Sequence, residues 1–165
     1  MIILKKKLPG TSSIQLARFL TRAQRAAKLA GEVNVLVAGS QEIRELNRRY
    51  RGRDEVTDVL SFPADGGAGK GFAGDIAISA DLAAQSARQF GHAPAEELKV
   101  LLLHGVLHLA GYDHERDNGL MARTENRLRA QLGLPAALIA RSRDDDARPA
   151  QLRPSYVTRR KEPSR

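Results

Sequence analysis

The chain of 165 residues has no cysteine and no tryptophan, and aromatic residues make up only 4% of it. Without thiols there is no disulfide and no thiolate metal site, so any metal must be held by His, Asp or Glu. Few aromatics also mean an aliphatic core and few platforms for stacking bases. Long apolar runs are missing too, since none approaches the roughly 20 residues of a membrane span. The opening MIILKKK places its lysines after a very short apolar run, the reverse of a signal peptide. The expectation is a soluble, cytoplasmic protein without a membrane partner. Its length suits one domain, or one domain with a tail. Hydrophobic and charged shares of 42% and 28% are ordinary for a globular chain.

What the chain has in excess is positive charge. Its 27 Lys and Arg against 19 Asp and Glu give a formal charge of +8, which points to an anionic partner, nucleic acid first. The excess lies at the ends. Residues 1–31 hold seven cations and no acid, and residues 141–165 hold eight cations and four acids. The stretch 32–140 holds 12 cations and 15 acids, net −3. Beyond residue 140 the composition turns to Arg, Asp, Pro and Ser with few apolar residues, too little burial to offset the entropy of ordering. The domain is therefore expected at 1–140, with 141–165 a basic, mostly disordered tail.

Local patterns alternate between strands and helices. Ile2 to Leu4 reads as a short strand that can pair either way, and Ser12 or Ser13 caps a helix with Leu16, Phe19, Leu20 and Ala27 at helical spacing. Val33, Val35 and Val37 alternate as a half-buried strand, and the next helix starts at Ser40. VLSF at 59–62 and DIAIS at 75–79 are further strands, separated by the glycine-rich DGGAGKGFAG. That run lacks the GxxxxGK[ST] pattern of a phosphate-cradling loop, because Gly71 follows Lys70, and it reads as a flexible connection. Ser79 caps a helix through Phe90, and Pro94 begins another, apolar nearly all round. A last amphipathic helix runs from about Asp117 to Leu132. The expected fold is α+β: a small mixed sheet of three to four strands covered by helices, with a buried central helix.

Three of the four histidines lie within HGVLHLAGYDH: His104, His108 and His114. Residues four apart share a helix face, so His104 and His108 can converge on one point. Gly111 can take the left-handed conformation that ends the helix, letting His114 swing back toward the same point. Three imidazoles with an open fourth position suit a catalytic zinc, whereas structural zinc normally has four protein ligands. His92 stands apart and reads as an exposed loop residue. Asp113 and Glu115 either orient an imidazole or lie in solvent. The same histidine spacing occurs in metzincin peptidases, HExxHxxGxxH, but Gly105 stands where their general-base Glu would be. Peptide hydrolysis by that route is disfavoured. Met121 falls in a helix and reads as core.

Taken together, HGVLHLAGYDH, LNRRYRGRDEVTDVLSFP from Leu46 to Pro63 and GDIAIS from Gly74 to Ser79 closely resemble the bacterial YbeY family of zinc-dependent endoribonucleases. The resemblance spans about residues 33–135 with the motifs in order. It implies one zinc per chain on His104, His108 and His114, and a functional role for Arg51 in the pattern formed by Asn47, Tyr50 and Arg51. It further implies cleavage of single-stranded RNA, in ribosomal RNA maturation at the 3′ end of 16S rRNA and in ribosome quality control. The partners implied are rRNA and the small ribosomal subunit, with no DNA. Two departures stand out: an N-terminal portion shorter than is typical, and the tail after residue 140.

The residues themselves agree with an RNA substrate. Arg44, Arg48, Arg49, Arg51 and Arg53 crowd into ten positions, and guanidinium is well shaped to fork onto phosphate. Arg44 and Arg48 read as a solvated helix face, while Arg51 and Arg53 lie past the helix, close enough to the site for contact. Asp54, Thr57 and Asp58 shape the turn, with Asp58 a partner for Arg51. Two other classes stay open: a ribosome-assembly or RNA-binding factor with a structural zinc, and, last, a metallopeptidase.

Overall fold

The computed structural model describes residues 1–66 and 71–136, together with the backbone of 155–156. Elements follow in the order β1 (Ile2–Leu4), α1 (Ser13–Ala27), β2 (Glu32–Ala38), α2 (Ser40–Arg51), β3 (Val59–Pro63), β4 (Phe72–Ser79), α3 (Ala80–Phe90), α4 (Pro94–Leu109), α5 (Leu120–Leu132) and β5 (Ser155–Tyr156). The expected α+β class is what the chain adopts. The four strands of the domain lie in the order β1, β2, β4, β3, and the two-residue β5 extends the sheet beyond β3. β1 and β4 both run parallel to β2, and only β3 is antiparallel to β4. The first strand, which the sequence left free to pair either way, is therefore parallel.

Alternation along the strands divides the interior in two. Val33, Val35, Val37, Val59, Ile76 and Ile78 face one side and join the main core with α1, α4 and α5. Leu60 and Ala77 face the other and pack with Ala38 and Ile43 beneath α2. α4 is buried nearly all round, as its unbroken apolar sequence requires. Its approach to the sheet depends on two glycines. A Cβ on Gly105 would lie 2.9 Å from Ile76 Cγ2 and 3.1 Å from Ser61 Oγ, and one on Gly74, whose φ is +147°, would lie 2.8 Å from Leu109 and 2.4 Å from the Phe62 carbonyl oxygen.

Several boundaries differ from expectation for identifiable reasons. β4 begins at Phe72 rather than residue 75, because pairing with β2 draws in the end of the glycine-rich run. β3 runs one residue further, through Pro63. α5 starts at Leu120, since Asp117 lies before the helix and caps it: its carboxylate accepts from the Met121 amide at 2.8 Å and from the Gly119 amide at 3.1 Å. The expected tail lies outside the described residues except for β5, and so do residues 67–70 of the glycine-rich run. Among the described residues, no helix is long and apolar enough to cross a membrane.

Candidate metal centre

The central helix positions two of the three histidines by periodicity alone. His104 and His108 lie one turn apart, with their Nε2 atoms 3.2 Å from each other. Two zinc–nitrogen bonds of about 2.0–2.1 Å at a tetrahedral angle place the nitrogens about 3.4 Å apart, so this separation suits a shared ion. α4 then ends at Leu109, and Gly111 follows with φ +96°. Its amide donates to the His108 carbonyl oxygen, and that of Tyr112 to the Leu107 carbonyl oxygen. This reversal returns His114 to the pair. Each of the three offers one ring nitrogen, and these atoms all lie within 4.8 Å of one another.

The surroundings favour ligation. His108 is buried, and its proton affinity is held far below the ordinary value by that burial first, then by His104, His114 and the positive charge of Arg51, against a hydrogen bond to the Tyr112 backbone. A neutral imidazole is the form that binds metal. His104 is fixed from behind: its Nδ1 lies 2.8 Å from Glu125 Oε2, which leaves Nε2 facing the other histidines. Arg129, itself buried, donates to the other oxygen of Glu125. Burial acts most strongly on the Glu125 carboxyl and raises its pKa, but the charge and hydrogen bond of His104 and then Arg129 outweigh it, leaving a pKa of about 2. Carboxylate, histidine and metal in series is a common way to set both tautomer and ring orientation. The three imidazoles therefore fit a divalent ion, and among the described residues no carboxylate belongs to their cluster.

Other expected site residues divide. Arg51 is the last residue of α2, not beyond it, with Gly52 closing the helix at φ +68°. It is half-buried, and its charge reaches His108. Arg53 turns outward: its side chain is 61% exposed and lies 3.8 Å from Glu55. Arg44 forks onto Asp54 at 2.8 and 3.1 Å on the surface, as a solvated face requires. Asn47 is buried and donates to the Glu55 carbonyl oxygen. Thr57 and Asp58 are buried in the turn, where the Asp58 carboxylate accepts from the Val59 amide. Asp113 accepts from the Glu115 amide at 3.1 Å. His92 is not an exposed loop residue but half-buried, its Nδ1 lying 3.3 Å from the buried Glu97. Met121 is core, as expected.

Glu125 and Arg129 were missed by sequence reasoning. They stand four apart on the edge of α5 marked by Met121, Leu128 and Leu132, so the periodicity did signal a buried ion pair, though not what it faces. A groove of about 820 Å³ opens on the α2 side of the sheet, lined by residues such as Leu36, Tyr50, Phe62 and Phe72, and none of the three histidines lines it.

Gly105 bears on the kind of hydrolysis. Its Cα faces Ile76 and Ser61 across a gap too small even for a methyl group. That position points into the sheet, so a general-base Glu is both absent and sterically excluded there.

Comparison with known proteins agrees with the geometry. The family profile described as Endoribonuclease YbeY matches residues 6–133. A protein of Koribacter versatilis called Endoribonuclease YbeY is 58% identical over 142 residues, covering 86% of this chain and 91% of the relative. Another of that name from Solibacter usitatus is 50% identical over 124 residues, 75% of this chain and 82% of the relative. The solution structure of TM1509 from Thermotoga maritima superposes with a TM-score of 0.54 at 30% identity, over 80% of this chain and 89% of that one. With this profile match and relatives similar over most of their length, the chain belongs to the endoribonuclease YbeY family.

Proposed function

We propose that this protein is a zinc-dependent endoribonuclease that cuts single-stranded RNA in the cytoplasm, acting in rRNA maturation at the 3′ end of 16S rRNA and in ribosome quality control on the small subunit. The observation that carries the reading is the convergence of three imidazole nitrogens within 4.8 Å, beside the charge of Arg51, in a member of this family. His104, His108 and His114 would hold the ion. Bound zinc supplies Lewis acidity toward a phosphoryl oxygen and toward water. Arg51 offers a guanidinium to the charge that builds on the phosphoryl oxygens in the transition state. Glu125 and Arg129 keep His104 aimed.

The fourth position separates this reading from a structural zinc. A carboxylate such as Asp113 or Glu115 there would favour a binding role, but none belongs to the cluster among the described residues, and Glu125 engages the far nitrogen of His104. That arrangement supports an open position and an enzyme. The expected result is about one zinc per purified chain, RNA cleavage by the wild type, and loss of both metal and cleavage in His108→Ala or after chelation. Arg51→Ala is expected to keep its zinc and lose about 10²- to 10³-fold in turnover. If Arg51→Ala cut as well as wild type while His114→Ala did not cut, the arginine has no such role.

A further inference from the structure

The cations of this chain are not equally available. Lys5, Lys6, Arg44 and Arg53 each face a carboxylate, those of Glu42, Asp81, Asp54 and Glu55 respectively. The arginine-rich stretch of α2 is thus partly neutralised by its own turn. On α1 and its C-cap Lys28 the position is reversed. Arg18, Arg22, Arg25 and Lys28 are all exposed, follow one another at intervals of three or four residues, and pair with no acid among the described residues. No acid occurs anywhere in residues 1–31. The four mark a stripe about 15 Å long, at about 1.5 Å per residue.

α1 packs against α5, whose outward face adds Arg123 and Arg127, both exposed. The Arg123 guanidinium donates to the Asn118 carbonyl oxygen, which leaves its charge uncompensated. The single acid of α5 is Glu125, and it is turned inward onto His104. α5 therefore touches the metal centre along one edge and continues the basic surface on another.

We propose that the outward faces of α1 and α5 form a docking surface for the sugar–phosphate backbone of RNA that flanks the cleaved phosphodiester. The inference rests on the endoribonuclease reading. Charge complementarity selects the occupant: six cations and no exposed acid on two adjoining helices suit a polyanion. An anionic bilayer is the poorer fit, because the apolar face of α1 (Leu16, Phe19, Leu20, Ala23) is already spent in the core and no amphipathic side remains to insert.

The test compares two full-length variants that each lose three positive charges. One is Arg18→Gln/Arg22→Gln/Arg25→Gln, and the other is Lys5→Gln/Lys6→Gln/Arg44→Gln, which removes cations that acids already neutralise. Each is assayed with a long unstructured RNA and with a trinucleotide, alongside zinc content and binding to anionic vesicles. The first variant is expected to bind long RNA at least about tenfold more weakly, with its salt slope reduced by about 2, at about 0.7 per lost single-strand phosphate contact. Its turnover at saturating RNA, zinc content and trinucleotide cleavage should match wild type. The second is expected to change binding far less. Equal binding by the first variant and wild type, equal losses in the two variants, or a defect seen only with vesicles overturns the docking surface. A wild type that neither binds nor cuts RNA overturns the endoribonuclease reading along with it.

Discussion

Glu125 governs how the metal centre is presented, although it is not expected to touch the metal. Its carboxylate takes Nδ1 of His104, so the Nε2 that meets His108 at 3.2 Å is the atom left to donate a lone pair. Glu125→Gln keeps the shape but loses the charge, and should weaken zinc binding by about 10- to 100-fold, read by competition with a chromophoric chelator. Unchanged affinity would mean that packing alone orients the ring. The same residue gives a pH signature in the metal-free protein. Its folded pKa, about 2, lies below the ordinary 4.5, so its stabilisation is complete above 4.5 and disappears as pH falls toward 2. The gap in urea midpoint between wild type and Glu125→Gln should close through that window. Arg129→Met removes one of two partners of the buried Glu125 carboxylate, His104 remaining on the other oxygen, and should cost about 3 kcal/mol, the low end for a broken buried pair. At this scale the sequence was legible where chemistry follows helical spacing, as at His104 and His108. It was not legible where a partner arrives from another element: Glu125 is 21 residues from His104, and His92 finds Glu97 only because the chain turns at Gly91.

Elements that carry their own signals were read with the least error. Ser12 caps α1 by accepting from the Gln15 amide, and Ser79 caps α3 by accepting from the Leu82 amide. α2 is the informative exception. It starts at Ser40 as expected, but its preceding residue, Gly39, has no side chain to cap it. The carboxylate of Asp81 on α3 does so instead, accepting from the Ser40 amide at 2.8 Å and from Lys6 Nζ at 2.5 Å. One acid thereby ties the turn after β1, the start of α2 and the start of α3, and the Lys6 and Ser40 hydrogen bonds hold its pKa below the ordinary value. Asp81→Asn should cost about 0.5–1 kcal/mol, the low end for a lost cap because the side chain is 41% exposed. The difference from wild type should shrink as the solution is acidified below the ordinary aspartate range. Where α4 meets the sheet, the constraint is steric. Gly105→Ala must displace Ile76 or Ser61 and should cost about 1–3 kcal/mol in chemical denaturation. Nothing local in the sequence announces this contact. Gly105 reads as the missing Glu of a peptidase motif until β3 and β4 are placed beneath it.

Over the whole molecule, charge and chemistry are separated. Residues 32–140, which hold the three histidines, carry net −3, while the positive excess lies in residues 1–31 and in the last 25 residues. On the proposed reading, long-range attraction of RNA would fall mainly to the ends, with Arg123 and Arg127 of α5 adjoining α1, and cleavage to a site that adds little to it. Two deletions test this division for the tail. Removing residues 157–165 takes away four cations and one acid but keeps β5, which pairs with β3 at Leu60 and Ser61. RNA affinity should fall and its salt slope should drop by up to about 3, at about 0.7 per lost contact, with turnover at saturating RNA unchanged. Removing 141–165 also takes β5. Ser61 Oγ donates to the Gly105 carbonyl oxygen on α4 at 3.3 Å, so β5 adjoins a strand that directly supports the histidine helix. If the tail is only a tether, both deletions leave saturated turnover intact and the longer one binds RNA more weakly. Turnover lost in the longer deletion alone would assign β5 a share in holding the site. A protein without 157–165 that binds normally but cannot cut would reverse the assignment of attraction and chemistry altogether.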